Sequence, residues 1–316
     1  MRCLQVSLET LPKLCYTINM ASYVETTEER LKQLGATTKV ALKDHTGFKV
    51  GGSADYFLEV VSYEQLKEAV DLCKQEEIPY YLLGNGTNLL ASDDGFRGVI
   101  LHFHTPLHPP VWRDNSVIVC AGTSLTGFAK ESIRLGWMGL ERLHGIPGTI
   151  GGACAMNAGA YGAEIKDVLK RIRIYRDGTD EWIDVPSDAL GYRKSAYSFP
   201  NCIVLEAELA LTKDDGTACA TMQECAQKRK EKQPLSYPSA GSTFKRPEGH
   251  FAGALIEQCG LKGASIGGAQ VSEKHAGFLI NTGGATEKDI SRLISLVQQT
   301  VLEQTGVTLE CEVKRI

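Results

Sequence analysis

No run in this chain approaches the roughly 20 consecutive apolar residues that a membrane-spanning helix needs. The first 19 residues hold Arg2, Glu9, Pro12 and Lys13 and no continuous apolar stretch, so a signal peptide is not expected. There is no C-x-x-C pair. The ten cysteines (Cys3, Cys15, Cys73, Cys120, Cys154, Cys202, Cys219, Cys225, Cys259 and Cys311) are scattered, with no histidine beside them at ligand spacing. That excludes a cysteine-based zinc site, and no metal is expected. So many thiols also argue against secretion and for a cytoplasmic protein. A formal net charge of -4 leaves no basic field for nucleic acid. Repeats and low-complexity tracts are absent.

What is present suits a protein with a full core: 43% of 316 residues are hydrophobic and 23% charged, with room for two or three domains. Met20-Ala21 directly precedes a plausible helix, which makes Met20 a candidate start and sets residues 1–19 apart from the fold. Ser62-x-x-Gln65 reads as a capping box, followed by Leu66, Ala69, Val70 and Cys73 at helical spacing. Strand-like runs flank it at Tyr56–Val61 and Ile78–Leu83, and another lies at Gly98–Phe103. Val117–Cys120 predicts a strand, and Ser124 begins a helix that ends near Gly136. Asp177-Gly178 between Arg171–Tyr175 and Glu181–Val185 predicts a hairpin. Ile203, Leu205, Ala207, Leu209 and Leu211 alternate with Glu206 and Glu208, as in a strand with one wet face. Thr286-x-x-Asp289, an apolar stripe from Ile290 to Val301, and Gly306 specify a C-terminal helix. A final strand is expected from Val307 to Ile316. The expected division is an extension and lead-in helix over 1–36, two units over 37–105 and 106–212, and a last unit over 213–316.

Two glycine-rich loops stand out. Gly84-Asn85-Gly86-Thr87-Asn88-Leu89 follows a strand, is dense in residues that tolerate positive φ, and can turn its amides outward around a phosphate. It is not the dinucleotide fingerprint, since G-x-G-x-x-G is absent. Alone it is as readily a plain tight turn. Gly145-Ile146-Pro147-Gly148-Thr149-Ile150-Gly151-Gly152 leaves little side-chain bulk, and Asn157, Ala158 and Gly159 belong to the small-residue run that extends it. Such a stretch suits a large flat ligand pressed against the main chain. Two loops about 60 residues apart fit an extended cofactor better than a mononucleotide.

These loops, together with Gly191-Tyr192-Arg193-Lys194-Ser195, Pro238-Ser239-Ala240-Gly241-Ser242-Thr243-Phe244-Lys245 and Leu309-Glu310-Cys311-Glu312-Val313-Lys314, closely resemble the UDP-N-acetylenolpyruvoylglucosamine reductase family. The motifs occur in the family's order, from about Thr46 to the C-terminus. The resemblance implies an α+β, FAD-binding fold of the vanillyl-alcohol-oxidase (PCMH) type, with two FAD-binding subdomains and a C-terminal substrate domain. It implies non-covalent FAD on the residues of the two loops, from Gly84 to Leu89 and from Gly145 to Gly152, and on Asn157, Ala158 and Gly159. NADPH would reduce the flavin, which would pass hydride to the enolpyruvyl double bond of UDP-N-acetylenolpyruvoylglucosamine. UDP-N-acetylmuramate for peptidoglycan would result. The short connection from Tyr197 to Arg229 is similar to that of the family's shorter subtype, which lacks an inserted tyrosine loop.

The reaction places negative charge beside the substrate carboxylate and then needs a proton. Arg193 is a permanent cation whose fork matches a carboxylate. Glu312, with its pKa raised by burial, can hold a proton there. By resemblance Ser242 delivers the proton to carbon. Alternation along the last strand puts Glu312 on the polar face with Glu310. Glu312 is the choice because it precedes Val-Lys, as in the family's Glu-Val-Arg; Lys314 departs from that arginine. The resemblance also implicates Tyr192, Arg229, Lys245, His275 and Asn281 in substrate binding. The basic run Lys228, Arg229, Lys230 and Lys232 is read either as a helix end complementing its dipole or as a diphosphate site. An oxidase of the same fold, with Cys154 as the thiol to watch, and a non-catalytic flavin- or nucleotide-binding protein are the competing readings.

Overall fold

The computed structural model describes residues 26–316; Cys3, Cys15, Met20 and the rest of residues 1–25 lie outside the described residues. Among the described residues, three sheets have three or more strands. The first has the order Thr37–Ala41, Ser53–Glu59, Phe96–His102, Tyr80–Leu83. Its first pair is antiparallel, and Phe96–His102 runs parallel to both Ser53–Glu59 and Tyr80–Leu83. The helix Tyr63–Gln75, whose Leu66, Ala69, Val70, Leu72 and Cys73 are buried, carries the chain from Ser53–Glu59 over to Tyr80–Leu83 on the far side of Phe96–His102. Its start differs in detail from a full capping box. Ser62 accepts from the Gln65 amide, while the Gln65 side chain accepts from the Val61 amide instead of reaching Ser62.

The second sheet is antiparallel throughout: Thr179–Asp184, Leu169–Arg176, Ile203–Ala210, Ser116–Cys120, Val111–Trp112. Asp177 at φ 50 and Gly178 at φ 79 make the two-residue turn with both central residues left-handed that suits the twist of a hairpin. Helix Leu125–Arg134 is capped by Ser124, which accepts from Gly127 N.

Strand Ile203–Ala210 departs from the expected single wet face. Glu206 and Glu208 are buried at 7% and 1% exposure, because cross-strand cations cover them. Glu206 pairs with His108 and Arg173, each at 2.8 Å. Glu208 accepts from Ser116 Oγ at 2.7 Å and from Arg171 Nε. Burial pushes the Glu208 carboxyl up, but the hydrogen bonds from Ser116 and Arg171 outweigh it and hold the group down at about 2.

The third sheet, Ser265–Ile266, Ala269–Val271, Leu279–Asn281, packs on helices Ala252–Gln258 and Glu287–Thr305. The long helix carries the full capping box of Thr286 and Asp289, buries Ile290, Leu293, Ile294, Val297 and Val301, and ends on Gly306 at φ 72. The segment after it is not one strand. It bridges Phe244 at Cys311, then changes partner, so that Lys314–Arg315 runs parallel to Leu89–Leu90. Its alternation holds nonetheless: Leu309 and Val313 are buried, while Thr308 and Glu310 are exposed. Helices and strands are both present, and the five-stranded and three-stranded sheets are antiparallel, which fits the α+β class.

Candidate active site

The first loop leaves strand Tyr80–Leu83 at its C-terminal end and leads directly into Leu89–Leu90, with no helix opening on it. Gly86 has φ +60, and a Cβ there would stand 2.0 Å from the His45 carbonyl oxygen. Only glycine fits.

The second loop enters a short helix, Ile150–Met156, that the small-residue run concealed. Ile150, Ala153 and Cys154 bury its inner side in the main core. Thr149 is the cap, accepting from Gly152 N at 3.1 Å. Gly151 N donates to Ala121 O at 2.8 Å, and its Cβ would meet the Ala121 side chain at 2.9 Å, so the loop packs closely against the residue that follows strand Ser116–Cys120. The two loops are tied together, since Asn85 Nδ2 donates to Pro147 O at 3.0 Å and a Cβ on Gly84 would stand 2.8 Å from Thr149 Oγ1.

Between them lies a cavity of about 790 Å³, within the range of small-molecule sites. Gly84, Asn85, Gly86, Thr87, Asn88, Leu89, Gly145, Ile146, Pro147, Gly148, Thr149, Gly151, Gly152, Ala158 and Gly159 all line it. Asn157 does not. It is fully buried at the left-handed end of the short helix, donates to Glu164 Oε2 and Gly191 O, and accepts from Lys166 N. Its side chain is spent on holding the Arg193 hairpin.

That hairpin pairs Gly191 with Lys194 and leaves Tyr192 and Arg193 as its tip. Arg193 sits at φ 53, left-handed and strained for a residue with a side chain. Its Nη2 donates to Gly159 O at 3.0 Å and Nη1 to Asn157 O at 3.5 Å. Its Nε lies 2.8 Å from Glu312 Oε1. The Nε–H has no directed acceptor there, which leaves it free for a substrate carboxylate. Burial raises the Glu312 carboxyl above its ordinary value, outweighing the Arg193 charge that lowers it. Glu310, the neighbouring acid, is instead exposed and bound to Lys245.

A second cavity of about 510 Å³ is lined by Tyr192, Lys232, Arg246, Phe251, Lys274 and His275 among others. Among the described residues, the side chains common to both cavities are Arg193, Ser242 and Glu312. Ser242 is exposed and follows Gly241 at φ 74, while its backbone bridges Phe278.

The expected substrate residues divide. Tyr192 lines the smaller cavity and its hydroxyl accepts from Arg246 N at 3.2 Å. His275 lines it too, but Nδ1 accepts from Gly277 N, and burial lowers its pKa. Arg229 turns into the larger cavity from helix Ala218–Lys232, only 9% exposed and with Nε unpartnered. Lys228 on the same helix pairs with Glu224 at the surface, so the basic run is one buried cation among solvated ones. Lys245 and Asn281 line neither cavity. Lys245 is held by Glu310, and Asn281 donates to Phe48 O and accepts from Gly283 N and Ala285 N. Sequence reasoning missed Arg246, Lys274 and Phe251 in the smaller cavity and Tyr197, Tyr237 and Arg315 in the larger. Of these only Arg246 carried a signal, as the cation directly after the Gly241–Lys245 motif.

The chain matches two family models, one described as FAD binding domain over residues 54–184 and one as UDP-N-acetylenolpyruvoylglucosamine reductase, C-terminal domain, over 233–316. UDP-N-acetylenolpyruvoylglucosamine reductase of Clostridium botulinum is 48% identical over 277 residues, covering 87% of this chain and 90% of the relative. That of Alkaliphilus oremlandii is 42% identical over 298 residues, covering 90% and 98%. The crystal structure of UDP-N-acetylenolpyruvylglucosamine reductase from Thermus caldophilus matches with a TM-score of 0.75 at 36% identity, covering 89% of this chain and 98% of that one. The chain belongs to the UDP-N-acetylenolpyruvoylglucosamine reductase family.

Proposed function

We infer that this chain reduces UDP-N-acetylenolpyruvoylglucosamine to UDP-N-acetylmuramate with NADPH, in peptidoglycan precursor synthesis. The observation that carries the reading is the pair of cavities meeting at Arg193, Ser242 and Glu312. The larger, walled by glycine backbone, fits FAD. The smaller, with Lys232, Arg246 and Lys274 around it, fits an anionic sugar nucleotide. FAD, held on the two glycine loops, would supply the redox chemistry between NADPH and the enolpyruvyl double bond.

The protein's own groups do the rest. Arg193 binds the substrate carboxylate and stabilises the charge that develops beside it. Strain at its backbone and its contacts to Gly159 and Asn157 hold the guanidinium still. Burial favours the protonated form of Glu312, and in that form it donates a hydrogen bond to the same charge. Ser242 hands its hydroxyl proton to carbon from the mouth shared by the cavities. Residues 37–105 and 106–212 carry the two glycine loops, and 213–316 supplies Ser242 and Glu312. Among the described residues no helix is long and apolar enough to cross a membrane, and a cytoplasmic setting follows from the reaction proposed.

The test is anaerobic. NADPH should bleach the bound flavin's visible absorbance, and UDP-N-acetylenolpyruvoylglucosamine should restore it. Restoration by oxygen but not by that substrate would move the protein to the oxidases.

A further inference from the structure

Arg193 leans on a small hairpin. Gly159–Ala160 pairs antiparallel with Ala163–Glu164, with Gly159 opposite Glu164. The two turn residues, Tyr161 at φ 53 and Gly162 at φ 83, are both left-handed. Ile165 N donates to Ala158 O at 2.9 Å and lengthens the ladder by one bond. The Gly159 carbonyl accepts from Arg193 Nη2 at 3.0 Å. A Cβ on Gly159 would stand 2.8 Å from Glu164 Cγ and 3.5 Å from Arg193 Nη1, so the stem of Glu164 and the guanidinium converge over one glycine.

The Glu164 carboxylate is itself engaged. Its Oε2 accepts from Asn157 Nδ2 at 3.0 Å and pairs with Lys166 Nζ. Asn157 Nδ2 also donates to Gly191 O at 2.8 Å, and Asn157 O is the second acceptor of the Arg193 fork. Burial works against the Glu164 charge, but Lys166, Asn157 and Arg193 outweigh it and hold the carboxyl below its ordinary value. Glu164 lines neither cavity.

We propose that Glu164 is a positioning residue for Arg193: through Asn157 and the paired Gly159 it fixes the two carbonyls on which the guanidinium rests. The assignment rests on the reaction inferred above, in which that guanidinium meets the substrate carboxylate. Asn157 is fully buried and gives one amide hydrogen to the Arg193 hairpin and the other to Glu164. Without the Glu164 acceptor a buried donor is orphaned, and the amide turns to find a partner. Arg193 keeps its left-handed backbone, φ 53, only while its surroundings over-determine it. A loosened Asn157 therefore releases both the main chain of the hairpin and the fork of the guanidinium.

The test uses the full, FAD-loaded chain. Glu164→Ala should leave bleaching of the flavin by NADPH unchanged and slow reoxidation at saturating substrate about 10- to 100-fold. Glu164→Gln still offers Asn157 an oxygen and should recover most of that loss. In an Arg193→Lys background, whose ammonium lacks the fork for both carbonyls, Glu164→Ala should cost little more. Amide hydrogen exchange over residues 191–195 should quicken in Glu164→Ala, with no substrate present. Losses that add in the double variant, equal slowing of both half-reactions, a Gln variant as slow as the Ala variant, or unchanged exchange over 191–195 each overturn the proposal. A wild-type flavin that the substrate fails to reoxidise sinks the functional reading instead, and the exchange measurement still decides whether Glu164 holds the hairpin.

Discussion

Asn88 and Glu312 lie 224 positions apart, and Asn88 Nδ2 donates to the Glu312 main-chain oxygen at 3.2 Å. Two positions on, Lys314 N donates back to Asn88 O at 3.1 Å, and Lys314–Arg315 pairs with Leu89–Leu90. The last residues of the chain are thus stitched to the first glycine loop. The backbone that walls the larger cavity also aims Glu312, so cofactor position and acid position are set by the same hydrogen bonds.

Ser242→Ala separates the two half-reactions. Bleaching of the flavin by NADPH should persist, while reoxidation by the enolpyruvyl substrate should slow by about 10²–10⁴-fold. Stopped-flow absorbance measures both. If both half-reactions stay at wild-type rates, Ser242 is not the proton donor.

The raised Glu312 pKa fixes the sign of a pH dependence. A carboxyl shifted upward keeps its proton to higher pH than usual, so the substrate half-reaction should decline as pH climbs through the raised value. Glu312→Gln cannot titrate and should flatten that limb while lowering the plateau. The decisive comparison is the pH profile of reoxidation for the two proteins.

Gly86 and Gly148 make a matched pair. Alanine at 86 needs a positive φ and meets the His45 carbonyl, whereas alanine at 148 has only Thr87 Oγ1 within 4 Å, at 3.9 Å. Gly86→Ala should lose about 1–3 kcal/mol of stability together with its flavin. Gly148→Ala should keep its Tm in the flavin-free form and bind FAD more weakly, because its methyl points at the ligand space. Calorimetry and fluorescence titration with FAD distinguish them.

Glu208 reports on acid stability. Its folded carboxyl is held at about 2 against an ordinary 4.5, so its contribution is fully present above pH 4.5 and fades as pH falls toward 2. Glu208→Gln leaves the cations around it without their partner and should cost about 3–5 kcal/mol at neutral pH. The gap to wild type should narrow on acidification. Urea unfolding at several pH values checks the sign.

Acid precipitation should release the flavin into the supernatant. Cys154 is fully buried and its thiol is pushed up to about 12, which makes it a poor nucleophile. Colour remaining in the pellet would revive the covalent oxidase reading.

Local signals carried much of the fold. The Thr286 capping box, the stripe from Ile290 to Val301 and Gly306 specify the C-terminal helix, and Asp177-Gly178 its hairpin, because caps and turns depend on residues within a few positions of each other. The two glycine loops were legible for the same reason, whereas alternation put Glu310 and Glu312 on one face and only resemblance chose between them. Tertiary structure decided what depends on distant partners. Glu206 and Glu208 read as solvated, yet arginines and a histidine from other segments bury them. Asn157, Lys245 and Asn281 carried no mark that their polar atoms were committed elsewhere. Nor could spacing show that Arg193, Ser242 and Glu312 stand where two cavities meet. A side chain's direction and partners are long-range properties, settled only when the sheets and the last extended segment close around one another.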